Sequence, residues 1–226
     1  TVTSFADTFG RTLDALATLL PDAKMAVANV PDVTSFPFFT TISNRQLDRF
    51  GQPVLDASGR PRFLLGPNNL ALTANDLVLL SAKASIAAGI GYPLNTFVYL
   101  TPTDSVPGTG TGLSDAQVLN NTEALTLQDR ARRFNAIIDT TLRSTTKKRD
   151  FAVLDLDGLL RRAKSPGIEI RGVVYTSKFL TGGLFGLDGV SLNDMAQALL
   201  CNQAIAAVNA RYGSNIQPVD PVRYAT

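Results

Sequence analysis

The side chains of this chain that could do chemistry are acidic and hydroxylic, because it has one cysteine and no histidine. Any hydrolysis through a Ser-His-Asp relay needs an imidazole to move a proton near neutral pH, and none is present. A lone serine hydroxyl is no base at that pH. Two stretches nevertheless place carboxylates where reacting groups are usually held. One is Ala152-Val-Leu-Asp155-Leu-Asp157-Gly158, an apolar run that ends in two acids. The other is Gly183-Leu-Phe-Gly-Leu-Asp188-Gly-Val-Ser191, just ahead of the last helical pattern.

The elements that must position these residues follow from apolar spacing. Phe5, Phe9, Leu13, Leu16 and Leu20 predict a helix over 4–20, with Thr3 or Ser4 as its cap. Lys24 to Val30 reads as a buried strand closed by Pro31. Residues 31–75 are aromatic and rich in turn residues, a long insertion at a strand end, where open α/β sheets bind ligands. Asn75-Asp76 is placed to cap a helix from Leu77 to Ala88, stopped by Gly89. Strands are expected at 97–101 and 151–155. Ser114-Asp115 is placed to cap a long helix reaching Arg143. A short helix over 156–164, a minor hairpin within 167–175 and a last helix over 192–211 complete the pattern.

Strands alternating with helices predict an α/β fold, a parallel sheet between helices, in one domain spanning 1–226. Three sheet strands are few for a parallel sheet, which needs both faces and both edges covered. That count predicts a protein partner, or a second chain, that completes the sheet. No repeat of fixed period stands out.

Composition narrows the classes. With 45% hydrophobic and 18% charged residues in 226, the chain is of globular type. Its net charge is +2, and its basic residues Arg130, Arg132, Arg133, Lys147-Lys148-Arg149 and Arg161-Arg162 read as helix ends and surfaces, not a nucleic-acid stripe. No apolar run has the length of a membrane span. The chain opens at Thr1 with neither an initiator Met nor the pattern of a signal peptide, which reads as a processed or truncated product. The single Cys201 excludes an internal disulfide; set in an apolar helix pattern, it reads as a small buried hydrophobe. No metal or cofactor is expected. The glycine-rich Pro107-Gly-Thr-Gly-Thr-Gly112 lacks the ending of a phosphate loop and reads as a flexible linker. Thr103-Asp104-Ser105, Gly66-Pro-Asn-Asn69 and the sequon Asn120-Asn121-Thr122 read as turns and a helix segment.

Two resemblances bear on function. The stretch through Asp155, Asp157 and Gly158 resembles the first motif of haloacid dehalogenase-like phosphotransferases. That likeness implies Asp155 as nucleophile toward phosphorus and Asp157 as acid/base, with Mg²⁺ held by carboxylates. The structural alternative is a strand ending in a carboxylate that caps the next helix. The wider likeness is to bacterial SGNH/GDSL-type hydrolases, especially envelope lipoproteins with esterase activity. It is carried by Val27-Ala-Asn-Val-Pro-Asp-Val-Thr-Ser-Phe-Pro-Phe-Phe39, by Gly91-Tyr-Pro-Leu-Asn-Thr-Phe-Val-Tyr-Leu100, and by Phe179 to Ser191 with the helix after it. It runs along nearly the whole chain and corresponds to the later part of that family's domain.

The likeness implies a three-layer α/β sandwich, a carboxylic ester hydrolase class and a location in the envelope or outside the cell. The family draws its nucleophile from a Gly-Asp-Ser block, its oxyanion hole from a Gly and an Asn, and its Asp and His from a late Asp-x-x-His. Here Asp188 matches the Asp, Ser191 stands at the His position, and no Gly-Asp-Ser occurs. The expectation is a family member without catalytic activity. The rival is a structural or binding subunit of an envelope or surface assembly, using the aromatic loop 31–50 and an open sheet edge.

Overall fold

The structure, a computed structural model, describes residues 1–143 and 151–224. The basic run Lys147-Lys148-Arg149 lies outside them. In chain order the elements are α1 (Val2–Leu19), β1 (Met25–Ala28), α2 (Pro37–Thr40), β2 (Leu77–Val78), α3 (Lys83–Ala87), β3 (Phe97–Tyr99), β4 (Ser105–Pro107), β5 (Val118–Leu119), α4 (Asn121–Arg143), β6 (Phe151–Leu154), α5 (Leu156–Lys164), β7 (Ile168–Ile170), β8 (Val173–Tyr175) and α6 (Asp194–Tyr212). They gather into two compact units, Thr1–Ser35 with Leu127–Thr226, and Phe36–Thr126. The second unit thus takes in far more chain than the insertion expected at 31–75.

In the first unit β1 and β6 lie parallel, from Met25 beside Phe151 to Ala28 beside Leu154. The fold is therefore mixed helix and strand with a small parallel sheet. α6 packs on β6 and buries Met195, Ala196 and Ala198. Near its end, the Tyr212 hydroxyl donates to the Met25 carbonyl at 2.7 Å and accepts the Met25 N–H at 3.1 Å. Phe5 of α1 stacks on Phe9 and meets Phe134 of α4, with centroids 4.4 Å apart in the latter pair. α1 starts earlier than expected. Thr1 is its cap, its Oγ1 accepting the Ser4 N–H, so Thr3 and Ser4 fall inside the first turn. The hairpin within 167–175 is present as β7 and β8.

The second unit departs furthest from the expected pattern. Residues 77–88 do not form one helix. Leu77–Val78 pairs antiparallel with Val118–Leu119, and only a 3-10 turn and the short α3 follow. The expected cap has other work: buried Asp76 accepts the N–H of Thr73, three residues back, and that of Asn121, the first residue of α4, so it ties its own loop to the start of the long helix instead of starting one at Leu77. Val78 thereby enters a core with Leu64, Leu72, Tyr92, Val98 and Leu113. The strand at 97–99 is also real but pairs antiparallel with β4, so the parallel sheet has two strands among the described residues, not three.

Pro107–Gly112 is no linker either. The N–H groups of Thr109 and Gly110 donate to the carbonyls of Gly89 and Tyr92, and the Thr111 carbonyl accepts from Gly91. A side chain at Gly108 would collide with the Pro93 carbonyl oxygen, so the glycine is there for close approach. Ser114 does cap, through a reciprocal Ser114–Gln117 box, but what it caps is a 3-10 turn over Asp115–Gln117. The long helix begins at Asn121, with Asn120 and Glu123 exchanging side-chain and backbone bonds.

An octapeptide is also repeated. Leu47-Asp-x-x-Gly51-x-Pro53 recurs as Leu55-Asp-x-x-Gly59-x-Pro61. Each copy is a tight hairpin. Oδ1 of Asp48 accepts the N–H groups of Phe50 and Gln52, and Oδ1 of Asp56 those of Ser58 and Arg60. Gly51 and Gly59 supply the positive φ, +75° and +76°. At the base of the hairpins the Gln46 N–H donates to the Arg62 carbonyl, Arg62 to Val54 and Val54 to Gln46, so these bonds close a ring of three.

Candidate functional site

Asp188 sits in a turn built by its neighbours. Phe185 and Leu192 form an antiparallel bridge, and the Gly186 N–H donates to the Ser191 carbonyl at 2.8 Å. Asn193 ends the turn: it caps α6 through Ala196, while its amide group donates to the Gly183 carbonyl. The turn is thus fastened to the helix behind it. Inside it, Oδ1 of Asp188 accepts the Val190 and Ser191 N–H groups at 2.9 and 2.8 Å, and Oδ2 accepts the Ser191 hydroxyl at 2.6 Å. The structure brings together the two residues that the sequence singles out. The Ser191 hydroxyl first, then the two backbone donors, holds the Asp188 carboxyl below its usual range. Ser191 directs its proton to Asp188, so its oxygen is a donor to a weakly basic carboxylate and has no imidazole beside it.

Asp155 and Asp157 have different employment. They stand where β6 runs into α5, at the carboxyl end of the parallel pair, where such sheets place ligands. Asp155 is the cap of α5, its Oδ1 accepting the Gly158 N–H at 2.9 Å. A side chain at Gly158 would strike that same carboxylate, which explains the glycine of the Asp-x-Asp-Gly pattern. The same Oδ1 also accepts from the Asn29 amide group at 2.7 Å, across from the end of β1. The Asn29 bond above all holds the Asp155 carboxyl below its usual range. Partial burial opposes it, while the Gly158 N–H and then Arg161 and Arg162 assist.

Asp157 accepts the Asp32 N–H and pairs with Arg161 at 3.2 Å, while its own N–H donates to Asn29 Oδ1. Both acids are therefore held by bonds within the chain, and Asp155 caps the helix that follows the strand. Among the described residues no three or more Asp, Glu, His or Cys side chains gather as a metal site requires.

Two participants were not found from sequence. Asn29 joins the ends of β1 and β6, and Asn135 on α4 pairs with Val30, two residues past β1. Its Oδ1 accepts the Val30 N–H at 2.7 Å and its amide group donates to the Val30 carbonyl at 2.8 Å. A carboxamide thus stands in for a neighbouring strand. The only sequence signal was the Asn-Val-Pro break at the end of the strand.

The lesser motifs resolve into local structure. Asn69 lies in the turn after Pro67 and accepts the Gly112 N–H. Asp104 closes a turn with Thr101, and Ser105 opens β4. Asn120 of the sequon accepts at the start of α4. Cys201 is a correction, for it is exposed. α6 is apolar on several sides with no clear stripe, so spacing along it does not tell which side is covered.

Among the described residues no helix is long and apolar enough to cross a membrane. Compared with models of known protein families, with curated proteins and with solved structures, the chain matches none.

Proposed function

We propose that this chain is an SGNH/GDSL-type hydrolase-family protein, of the carboxylic ester hydrolase class, that does not hydrolyse esters itself. One observation carries the reading. The side chain three residues after Asp188 donates to its carboxylate, which is the bond a triad aspartate makes to its imidazole N–H. Ser191 makes that bond yet accepts no proton at neutral pH, so the turn keeps its form without the relay. The parallel pair β1–β6 and the position of the turn before the last helix agree with the reading. Placement in the cell envelope or outside the cell belongs to the same proposal and rests on the same resemblance.

Two measurements test it. A fluorophosphonate probe read by intact mass is expected to leave no adduct, and short-chain nitrophenyl esters to be released no faster than in buffer; a single stoichiometric adduct would show an activated serine and end the inactive reading. Ser191→His then tests the ancestry of the turn. The introduced imidazole would be the chain's only one, so its titration is read directly by NMR. Beside Asp188 it is expected to titrate above its ordinary value of about 6.5. An unshifted or lowered value means the turn does not fit an Asp-x-x-His pair.

A second reading, a binding subunit, is favoured by the outer edge of β1. The Asn29 N–H donates toward β6, to the Leu154 carbonyl, so by strand alternation Ala26 and Ala28 turn their backbone groups the other way. Asn135 occupies that side at Val30, and no described strand pairs there with Ala26 or Ala28. A partner adding an extended strand would fit. Cross-linking from a cysteine placed at Ala26 with recovery of a second polypeptide supports this reading, and its absence from the native source removes it.

A further inference from the structure

The repeated hairpins carry four arginines, Arg45, Arg49, Arg60 and Arg62, within a stretch whose only acids are Asp48 and Asp56. Among the described residues none of these guanidinium groups makes an ion pair or a side-chain hydrogen bond. Arg62 acts on Asp56 only through its field. The two aspartates instead give an oxygen each to the backbone of their own turns. Arg49, Arg60 and Arg62 are exposed, and Arg45 is half-buried.

Apolar groups stand among them. Phe50, at the tip of the first hairpin, is 74% exposed, and Leu55, where the second begins, is 53% exposed. The Arg49 guanidinium lies 6.0 Å from the centre of the Phe50 ring. Around Gly51 and Gly59 nothing approaches the space that a side chain would fill, so both tips protrude.

We propose that this hairpin module docks on an anionic lipid surface. Unneutralised guanidinium groups suit lipid phosphates, which they can grip with two hydrogen bonds. A protruding phenylalanine and leucine can sink at the headgroup boundary while the cations stay among the phosphates. A protein partner would need a continuous complementary patch, whereas here the apolar groups stand singly on convex turns. Both turns are already closed by their aspartates and glycines, so docking orders little chain. The proposal holds whether or not the Asp188 turn descends from an esterase.

The test is sedimentation of the full chain with phosphatidylcholine vesicles, with and without phosphatidylserine, at low and high salt. Binding is expected only with phosphatidylserine and is reversed by salt. Arg49→Gln/Arg60→Gln/Arg62→Gln should weaken it about a hundredfold, at roughly fivefold per cation. Phe50→Ser should weaken it further without changing its salt dependence. Circular dichroism melting should be unchanged in both variants, since the replaced groups make no bonds in the fold; should the triple variant unfold, Arg49→Gln/Arg60→Gln serves in its place. No binding to phosphatidylserine, or binding indifferent to the arginines, overturns the proposal. Capture by poly-glutamate as strong as by vesicles, and indifferent to Phe50, assigns the module to an acidic polypeptide and overturns the lipid assignment.

Discussion

Asp155 and Asp188 perform the same local act in different settings. Each carboxylate accepts a backbone N–H from the residue three positions on, Gly158 in one case and Ser191 in the other. Asp155 adds a bond to Asn29, 126 residues away, and so joins two strands and a helix. Asp188 binds only Val190 and Ser191. The difference shows which acid the fold leans on. Replacing Asp155 disturbs the meeting of β1, β6 and α5, while Asp188 sits in a turn held from outside by Asn193 and the Phe185–Leu192 bridge. A turn of that kind can lose a reacting residue and keep its shape.

The sharpest way to break this contrast is to cut the long bond. Asp155→Ala is expected to cost about 2 kcal/mol in urea unfolding, through a lost helix cap and a lost charge-assisted bond. Asn29→Ala should cost a similar amount, and the double variant less than the sum, because the two share one bond. Additive losses would show that Asn29 and Asp155 act separately. Next in size is Gly158→Ala. A methyl group there displaces the capping carboxylate, and about 1 kcal/mol of destabilisation is expected, largely absent when Asp155 is already alanine.

The acid limb gives a smaller effect with a fixed sign. The Asp155 carboxyl ionises below its unfolded value in the folded chain, so its stabilisation is complete above about pH 4 and is lost as pH falls through the folded value. The stability gap between the native chain and Asp155→Ala should therefore narrow on acidification; a constant gap from neutral pH downward contradicts the assignment. Smallest of all is Asp188→Ala, expected to leave the melting temperature unchanged. Its effect should be local, as faster amide exchange at Val190 and Ser191, and a global loss of stability would put Asp188 in the same class as Asp155.

What could be read from the sequence were elements marked by a local signal. The apolar runs of β1 and β6, the acid that opens α5, and the minor hairpin within 167–175 are of this kind. Asp76 was misread because an acid before an apolar run looks the same whether it caps the helix that follows it or is buried against the start of a helix 45 residues on. The buried side of α6 was not legible because its apolar residues form no single stripe, and Cys201 fell on the open side. Asn29 and Asn135 were invisible for a simpler reason: their partners lie 126 and 105 residues away. In the candidate site, Asp188 and Ser191 were singled out by the resemblance and their bond appears only in the structure, whereas the octapeptide was missed because its two copies share only turn residues and flanking Leu and Pro.

That octapeptide closes on itself through Gln46, Val54 and Arg62, each donating to the next around the ring. The ring has a counting property. Its third corner is made by the chain arriving at Arg45 and leaving at Phe63, so two hairpins fill the remaining places. A further copy inserted in tandem would find every donor and acceptor at the hub already engaged. Most loops tolerate growth residue by residue, but this one can change length freely only at its outer tips, and its copy number is fixed by closure.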